Sequence, residues 1–246
     1  MAVGDASGGW LLGIDTSSDV ASIALVPTAA GAGYGAELSW PAPRNQTATL
    51  LSQIDHLLRI CGLEPESLGG IVIATGPGGF NALRVGMSVA KGFAFALDLP
   101  IFGVGTLDIA AQAVACWGLP VRAFVPAGRR RAVFADYLPL GQALRQAGEI
   151  GNRPIPALAA DLTTPTVLTG DLTIDEQDTL RQQPNVVLPP AGLRQRRAAF
   201  MVDLALPRWQ AGEPDDLMLT EPLYVHQQAP DAGRPSQQHA DAGTRE

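Results

Sequence analysis

The sequence predicts an α/β protein built from two lobes of related design. Three observations support this prediction. Strand-like apolar runs alternate with segments of helical period, a glycine-rich turn joins a buried strand to a helix over residues 71–97, and the second half repeats the order of the first more faintly. The 246 residues are 46% hydrophobic, which is ample for one large domain or two small ones.

The first half has the stronger pattern. Two apolar runs, 10–14 and 21–26, are separated by a short polar turn, which is typical of a β-hairpin. Apolar residues then recur with the helical period up to Cys61, and Gly62 is a suitable stop. The β-branched run 70–74 does not alternate, which indicates a strand buried on both faces. The predicted strands are 10–14, 21–26, 37–40, 70–74 and 100–104, and the predicted helices are 47–61, 81–97 and 106–116.

The second half predicts the same kinds of element from weaker signals. Its predicted strands are 121–125, 132–137, 166–169 and 186–188, and its predicted helices are 174–183 and 193–210. Pro207 is expected to bend or end the last helix. Gly141 to Pro156 is expected to be an irregular linker.

Two successive β-β-β-α-β-α units indicate a two-lobed ASKHA fold, which is actin-like or ribonuclease H-like. The predicted organisation has four parts, and the last of them has almost no apolar residues. They are a flexible N-terminus at 1–9, an N-terminal lobe at 10–104, a C-terminal lobe at 105–226 and a disordered tail at 227–246.

Composition excludes a broad nucleic-acid surface, because the net charge is -7 and Lys91 is the only lysine. Two arginine clusters, at 129–131 and at 194, 196 and 197, are interpreted as solvated surface, although a minor RNA contact stays open. Cys61 and Cys116 are predicted to be buried, reduced thiols. No basic-then-apolar leader and no apolar run of membrane length are found, so a cytoplasmic protein is expected.

Two polar turns are candidates for binding an anion or a nucleotide. The glycine-rich turn at the start of a helix offers backbone N–H groups to an anion. It matches neither the dinucleotide fingerprint nor the Walker pattern, so a tight strand-to-helix connection is favoured over a ligand site. The turn after the first strand carries Ser17 where actin-like ATPases usually have glycine, which favours a structural turn. The candidate loop residues are Asp15, Gly76, Gly78, Gly79 and Asn81.

No catalytic residue and no metal site is predicted. The three histidines, His56, His226 and His239, have no second histidine or carboxylate at ligand spacing, and no Gly-x-Ser-x-Gly turn accompanies them.

Small residues recur every four positions along the helix after the glycine turn, at Gly86, Ala90 and Ala94. Such a stripe lets another backbone approach closely, either inside the chain or from a partner helix. Glycine within a helix is destabilising by about 1 kcal/mol relative to alanine, so Gly86 and Gly92 suggest a need for close contact. Internal packing and an interface stay open as alternatives.

Three motifs resemble one known family. They are the run Ile14-Asp15-Thr16-Ser17, the helix opening Arg44-Asn45-Gln46-Thr47, and the stretch Gly76-Pro77-Gly78-Gly79-Phe80-Asn81-Ala82-Leu83-Arg84-Val85-Gly86. Together they are similar to the TsaB (YeaZ) family, the small subunit of the bacterial complex that makes threonylcarbamoyladenosine in tRNA. Gln46, Asn81 and Pro126 depart from the residues that are usual in that family.

The resemblance implies an ASKHA fold without catalysis of its own and without cofactors of its own. It implies a scaffold subunit that dimerises through its first two helices with the TsaD transferase, joined by the ATPase TsaE. ATP and metal would belong to those partners, and tRNA, modified at adenosine 37, would be contacted only through the complex. The implied interface residues are Thr47, Leu50, Ile54, Arg84, Met87, Ala90, Lys91 and Ala94. A homodimer through the same helices, and a divergent ATPase or hydrolase using the Asp15 and Gly76 loops, are the alternatives.

Overall fold

The structure, a computed structural model, describes residues 9–29, 35–42, 46–141 and 143–223. Within these ranges it has ten strands and six α-helices. The strands are β1 (Trp10–Asp15), β2 (Val20–Pro27), β3 (Ala36–Pro41), β4 (Leu68–Gly76), β5 (Ile101–Gly105), β6 (Val121–Pro126), β7 (Arg131–Leu140), β8 (Ala143–Pro154), β9 (Thr166–Thr169) and β10 (Val186–Val187). The helices are α1 (Gln46–Cys61), α2 (Phe80–Ala96), α3 (Thr106–Gln112), α4 (Ile174–Arg181), α5 (Ala191–Arg194) and α6 (Ala198–Ala211).

The strands form two sheets with the same order. In the first sheet the order is β3-β2-β1-β4-β5, and in the second it is β8-β7-β6-β9-β10. Each sheet contains an antiparallel meander of three strands. The first strand of the meander, β1 or β6, also pairs in parallel with a fourth strand, which pairs in parallel with a fifth. The predicted α/β ASKHA fold with a repeated unit is therefore confirmed.

The first sheet is covered on both faces. Because side chains alternate along a strand, Leu12 and Ile14 of β1 point to the core under α1 and α2, whereas Leu11 points to the core under α6. β4 divides in the same way, with Ile71 and Ile73 on one face and Val72 on the other. The last helix thus packs on the first sheet, although its sequence follows the second.

The second sheet is covered more sparsely. On one face α3 packs over Val121, Ala123 and Val125. On the other face, Phe124 and Phe134 lie beneath the 3-10 turn Ile155–Ala159 and α4. α3 also contacts α6, which joins the two sheets into one body.

Three predictions about elements are wrong. The expected linker 141–156 contains β8, which pairs with β7; its residues are mostly exposed on an edge strand, so its apolar signal is weak. The expected helix 193–210 is two helices, since the backbone at Gln195 and Arg197 is extended, while Pro207 lies inside α6 without ending it. The expected helix 106–116 ends at Gln112 and is followed by a 3-10 turn.

Cys116 is exposed and Cys61 is half-buried, so the prediction of two buried thiols is also wrong. None of the helices in the described part of the chain is long and apolar enough to cross a membrane. The lobe boundaries stay a prediction. Most of the expected flexible N-terminus, at 1–8, and the expected disordered tail at 227–246 lie outside the described residues.

Candidate functional site

Two polar turns meet at the ends of the two central strands of the first sheet. β1 and β4 are parallel neighbours, so the turn at residues 15–18 and the glycine turn at residues 76–79 emerge side by side. The Gly79 N–H donates to the Ser17 carbonyl oxygen at 2.9 Å. The Thr16 hydroxyl donates to the Ala82 carbonyl oxygen at 2.7 Å. The two turns therefore bind each other directly.

The glycines in this region are explained by that close approach. Gly76 has a φ of 106°, a backbone conformation that favours glycine. A Cβ on Gly78 would overlap the backbone of Ser17, and a Cβ on Gly86 would overlap the Thr16 hydroxyl. These three positions therefore need glycine for contacts within the chain, without any bound ligand.

Asp15 is buried and fully engaged. One carboxylate oxygen accepts hydrogen bonds from the Ser17 backbone N–H at 2.8 Å and from the Ser17 hydroxyl at 2.6 Å. The other oxygen pairs with Arg196 Nε at 3.3 Å, and Arg196 Nη1 also pairs with Asp171 at 3.1 Å. Burial lowers the pKa of the Arg196 guanidinium, but Asp15 and Asp171 more than offset it, so that the pKa is raised overall. Arg196 thus neutralises Asp15 and joins the two halves of the chain.

The structure brings four of the five predicted loop residues, Asp15, Gly76, Gly78 and Gly79, into one place. Asn81 instead lies exposed in the first turn of α2. The Gly79 amide and the Asp15 carboxylate, which would contact a phosphate or a metal, already have partners in the chain. Among the described residues, no group of three or more His, Cys, Asp or Glu side chains is placed to hold a metal ion. The polar groups of the two turns, residues 15–18 and 76–79, are bound within the chain, and we refer to these turns as the locked turns.

Arg196 and Asp171 were missed by the sequence interpretation. Arg196 and its neighbour Arg194 are buried, so the prediction of a solvated arginine cluster is wrong for these two, while Arg129 and Arg130 are exposed as predicted. The partners of Arg196 lie 181 and 25 positions away in the chain. No local pattern in the sequence signals pairs at those separations.

Most of the predicted interface residues on α1 and α2 face the first sheet. Five of them are buried in the protein's own core: Leu50, Ile54, Met87, Ala90 and Ala94. Of these, Ile54 also lines a depression on the outer side of α1. The small-residue stripe is therefore explained by internal packing of α2 on β4. A partner at these helices would have to contact other residues.

The outward face of α2 holds two of the remaining candidates. Arg84 is exposed and stacks on the Phe80 ring at 4.6 Å from its centroid, and Lys91 Nζ donates to the Met218 carbonyl oxygen at 3.4 Å. The side chain of Thr47 lies outside the described part. Sequence reasoning did not single out Leu51, Ile60 and Phe95, which are exposed.

A depression of about 250 Å³ lies between the two helices, with Leu51, Leu58 and Phe93 in its lining. The lining combines apolar side chains with the charged residues Asp55, Arg59 and Glu64.

The sequence model of the family described as TsaD, tRNA N6-adenosine threonylcarbamoyltransferase, matches residues 41–156. A tRNA threonylcarbamoyladenosine biosynthesis protein TsaB from Haemophilus influenzae is 35% identical over 103 residues, 42% of each chain. A tRNA N6-adenosine threonylcarbamoyltransferase from Thermus thermophilus is 34% identical over 125 residues, which cover 45% of this chain and 38% of that protein. The chain spans less than half the length of these curated relatives.

Similarity to a solved structure extends over more of the molecule. YeaZ from Pseudomonas aeruginosa superimposes with a TM-score of 0.73 at 26% sequence identity, covering 88% of this chain and 100% of that one. The match to the YeaZ structure and the sequence similarity to the TsaB relatives point to the same group of proteins. This chain is similar to TsaB (YeaZ) proteins in sequence over less than half of its length and in fold over most of it.

Proposed function

We propose that this protein is a non-catalytic subunit in the synthesis of threonylcarbamoyladenosine in tRNA, and that it pairs with a TsaD-type transferase. The observation that carries the proposal is the state of the two turns. They have the backbone outline of a nucleotide site, but the Asp15 carboxylate is bound by Ser17 and Arg196 and the Gly79 amide by Ser17. A protein whose two turns have the backbone course of a nucleotide site, but whose polar groups bind one another, fits the role of a scaffold subunit.

Pairing with a TsaD-type transferase is supported by relatedness. The TsaD family model matches this chain, and TsaD-type and TsaB-type relatives are similar to it at comparable identity. Two proteins of one fold can associate through equivalent surfaces, as subunits do around a two-fold axis. The outward faces of α1 and α2 supply such a surface, with Leu51 of α1 lining the depression and Phe95 of α2 exposed.

Under this proposal the partner subunits, including a TsaE-type ATPase, bind ATP and metal ions, and the assembled complex binds tRNA. A second copy of the chain would compete for the same helical face. The pair with the transferase is favoured because the TsaB relatives carry the name of this pathway.

The test is a binding titration between the full chain and the TsaD-type transferase of the same organism. Phe95 is 81% exposed, so Phe95→Asp places a charge on the proposed surface without disturbing the core. The matched control is Ile174→Asp on α4, which is 76% exposed and lies on the second unit. We expect Phe95→Asp to weaken binding about tenfold or more and Ile174→Asp to leave it unchanged, since apolar anchors carry most interface energy.

Failure of the wild-type chain to bind the transferase at micromolar concentration would contradict the pairing. Equal weakening by both variants would contradict the assigned surface. Hydrolysis of ATP by the chain alone would contradict the non-catalytic role.

A further inference from the structure

One buried cation in the described part of the chain has no partner. Arg194 is 7% exposed, and its Nε is buried without a hydrogen-bond acceptor. No carboxylate among the described residues lies within ion-pair distance of its guanidinium. Buried arginines are normally paired and hydrogen-bonded, so a guanidinium in this state indicates a missing anionic ligand.

Arg194 lies where the chain passes from the second sheet to the first. It ends α5, whose Leu193 packs against the core beneath α3. Two residues later Arg196 binds Asp15 and Asp171. The two arginines thus share one region, yet Arg196 has two carboxylates and Arg194 has none.

The surrounding charges do not compensate Arg194. Burial lowers the pKa of its guanidinium, and the nearby charge of Arg181 lowers it further, against a smaller opposing effect of Asp171. The Asp171 carboxylate is bound by Arg196. Arg181 lies 3.9 Å from Asp178 in a pair whose side chains are both mostly exposed, so its guanidinium stays available. An arginine remains charged in proteins, so the positive charge at Arg194 persists.

We propose that Arg194 binds a phosphate group, either as inorganic phosphate or at the end of a nucleotide. The two terminal nitrogens of a guanidinium can donate two hydrogen bonds to phosphate oxygens. The site adjoins the pair of Arg196 with Asp15, lies away from the α1–α2 face, and goes beyond the proposed pairing with a transferase.

The test is the thermal unfolding of the full chain, first in phosphate-free buffer and then with inorganic phosphate or ADP, at ionic strength matched with NaCl. The main variant is Arg194→Met, which keeps the length of the side chain and removes its charge. The control is Arg59→Met, which removes an arginine from an exposed pair with Asp55.

We expect the Tm of Arg194→Met to lie above that of the wild type without phosphate and to lose this advantage when phosphate is added. Without phosphate, Arg194→Met should unfold at a higher temperature than the wild type, because it removes an unpaired buried charge. Phosphate at about 100 times its Kd should raise the Tm of the wild type and of Arg59→Met by roughly 5–10 °C, and should leave Arg194→Met unchanged. Arg194→Lys, which keeps the charge but loses the fork, should respond less than the wild type.

A response to inorganic phosphate alone would identify the free ion, and a larger response to ADP would identify a nucleotide end. The proposal is overturned if neither compound raises the Tm of the wild type above the NaCl control. It is also overturned if Arg194→Met responds as the wild type does. Because the chain is tested without a partner, failure here leaves the pairing proposal untouched, and failure of the pairing leaves this one untouched.

Discussion

The two five-stranded units have the same strand order but different coverings. In the first unit the connections after β3 and β4 are long helices of 16 and 17 residues, α1 and α2. In the second unit the matching connections are a 3-10 turn of 5 residues and α4 with 8. The two units therefore share a backbone topology but have different helices on the surfaces of their sheets. In the described part of the chain, only the first unit has a pair of long helices on one face of its sheet.

The two units also treat a buried arginine differently. Arg196 pairs with Asp15, whose carboxylate is almost completely buried. In the second unit Arg122, on β6, donates to Asp136 and Asp161 at 2.6 Å each, and both carboxylates are about half exposed. Removal of Arg196 would leave the Asp15 carboxylate buried without a counter-charge. Removal of Arg122 would leave the carboxylates of Asp136 and Asp161, which water can reach. The predictions below test this contrast.

The largest effect is expected from Arg196→Met. Breaking a buried ion pair by removing one partner typically costs about 3–5 kcal/mol, because the remaining charge is left uncompensated. We expect a loss of this size in the free energy of unfolding, measured by urea denaturation. Arg59→Met, in an exposed pair, should lose no more than about 1 kcal/mol. A loss from Arg196→Met as small as that of the control would mean that Asp15 does not depend on Arg196.

Arg122→Met should cost less, about 2 kcal/mol, which is typical of losing hydrogen bonds to charged groups. Asp136 and Asp161 can be hydrated again, and the main loss is then the hydrogen bond from Arg122 to the buried Leu158 carbonyl oxygen. The same urea measurement ranks the two variants. A cost equal to or above that of Arg196→Met would refute the contrast between the units.

Two glycines of α2 should respond in opposite directions to alanine. A Cβ at Gly86 would overlap the Thr16 hydroxyl, so Gly86→Ala should lose about 1 kcal/mol or more through overpacking. A Cβ at Gly92 has nothing within 4 Å, so Gly92→Ala should gain about 0.5–1 kcal/mol from helix propensity. Urea denaturation of both variants provides the measurement. A gain at both positions would show that the helix does not need its close contact with the turn after β1.

The smallest effect is a pH dependence in the second unit. Hydrogen bonds from Arg122 and then Arg153 lower the pKa of Asp161 to about 2, against the opposing effect of burial. Because an unfolded aspartate titrates near pH 3.9, Asp161 stabilises the fold above about pH 4 and this contribution is lost as the pH falls towards 2. The free energy of unfolding should fall less steeply over this interval in Asp161→Asn than in the wild type. An equal slope in both would contradict the assignment.

Most of the fold was predictable because its signals are local. The hairpin of β1 and β2, the buried strand β4 and the helix that follows the glycine turn are all encoded in runs of fewer than twenty residues. β8 was missed because an exposed edge strand needs no apolar alternation. The break between α5 and α6 was missed because the extended residues that separate them show no turn signal, while Arg196 between them binds carboxylates elsewhere in the chain.

The candidate site divides in the same way. Residue types and spacing were enough to place Asp15 and the glycines 76, 78 and 79 in polar turns at strand ends, and to show the resemblance to TsaB proteins through three motifs. Only the tertiary structure decided what those turns do, because the partners of Asp15 and of the α2 stripe lie far away in the sequence. Burial and pairing are properties of assembled surfaces, so the inward position of Ala90, the neutralised Asp15 and the unpaired Arg194 are visible only once the two sheets have packed.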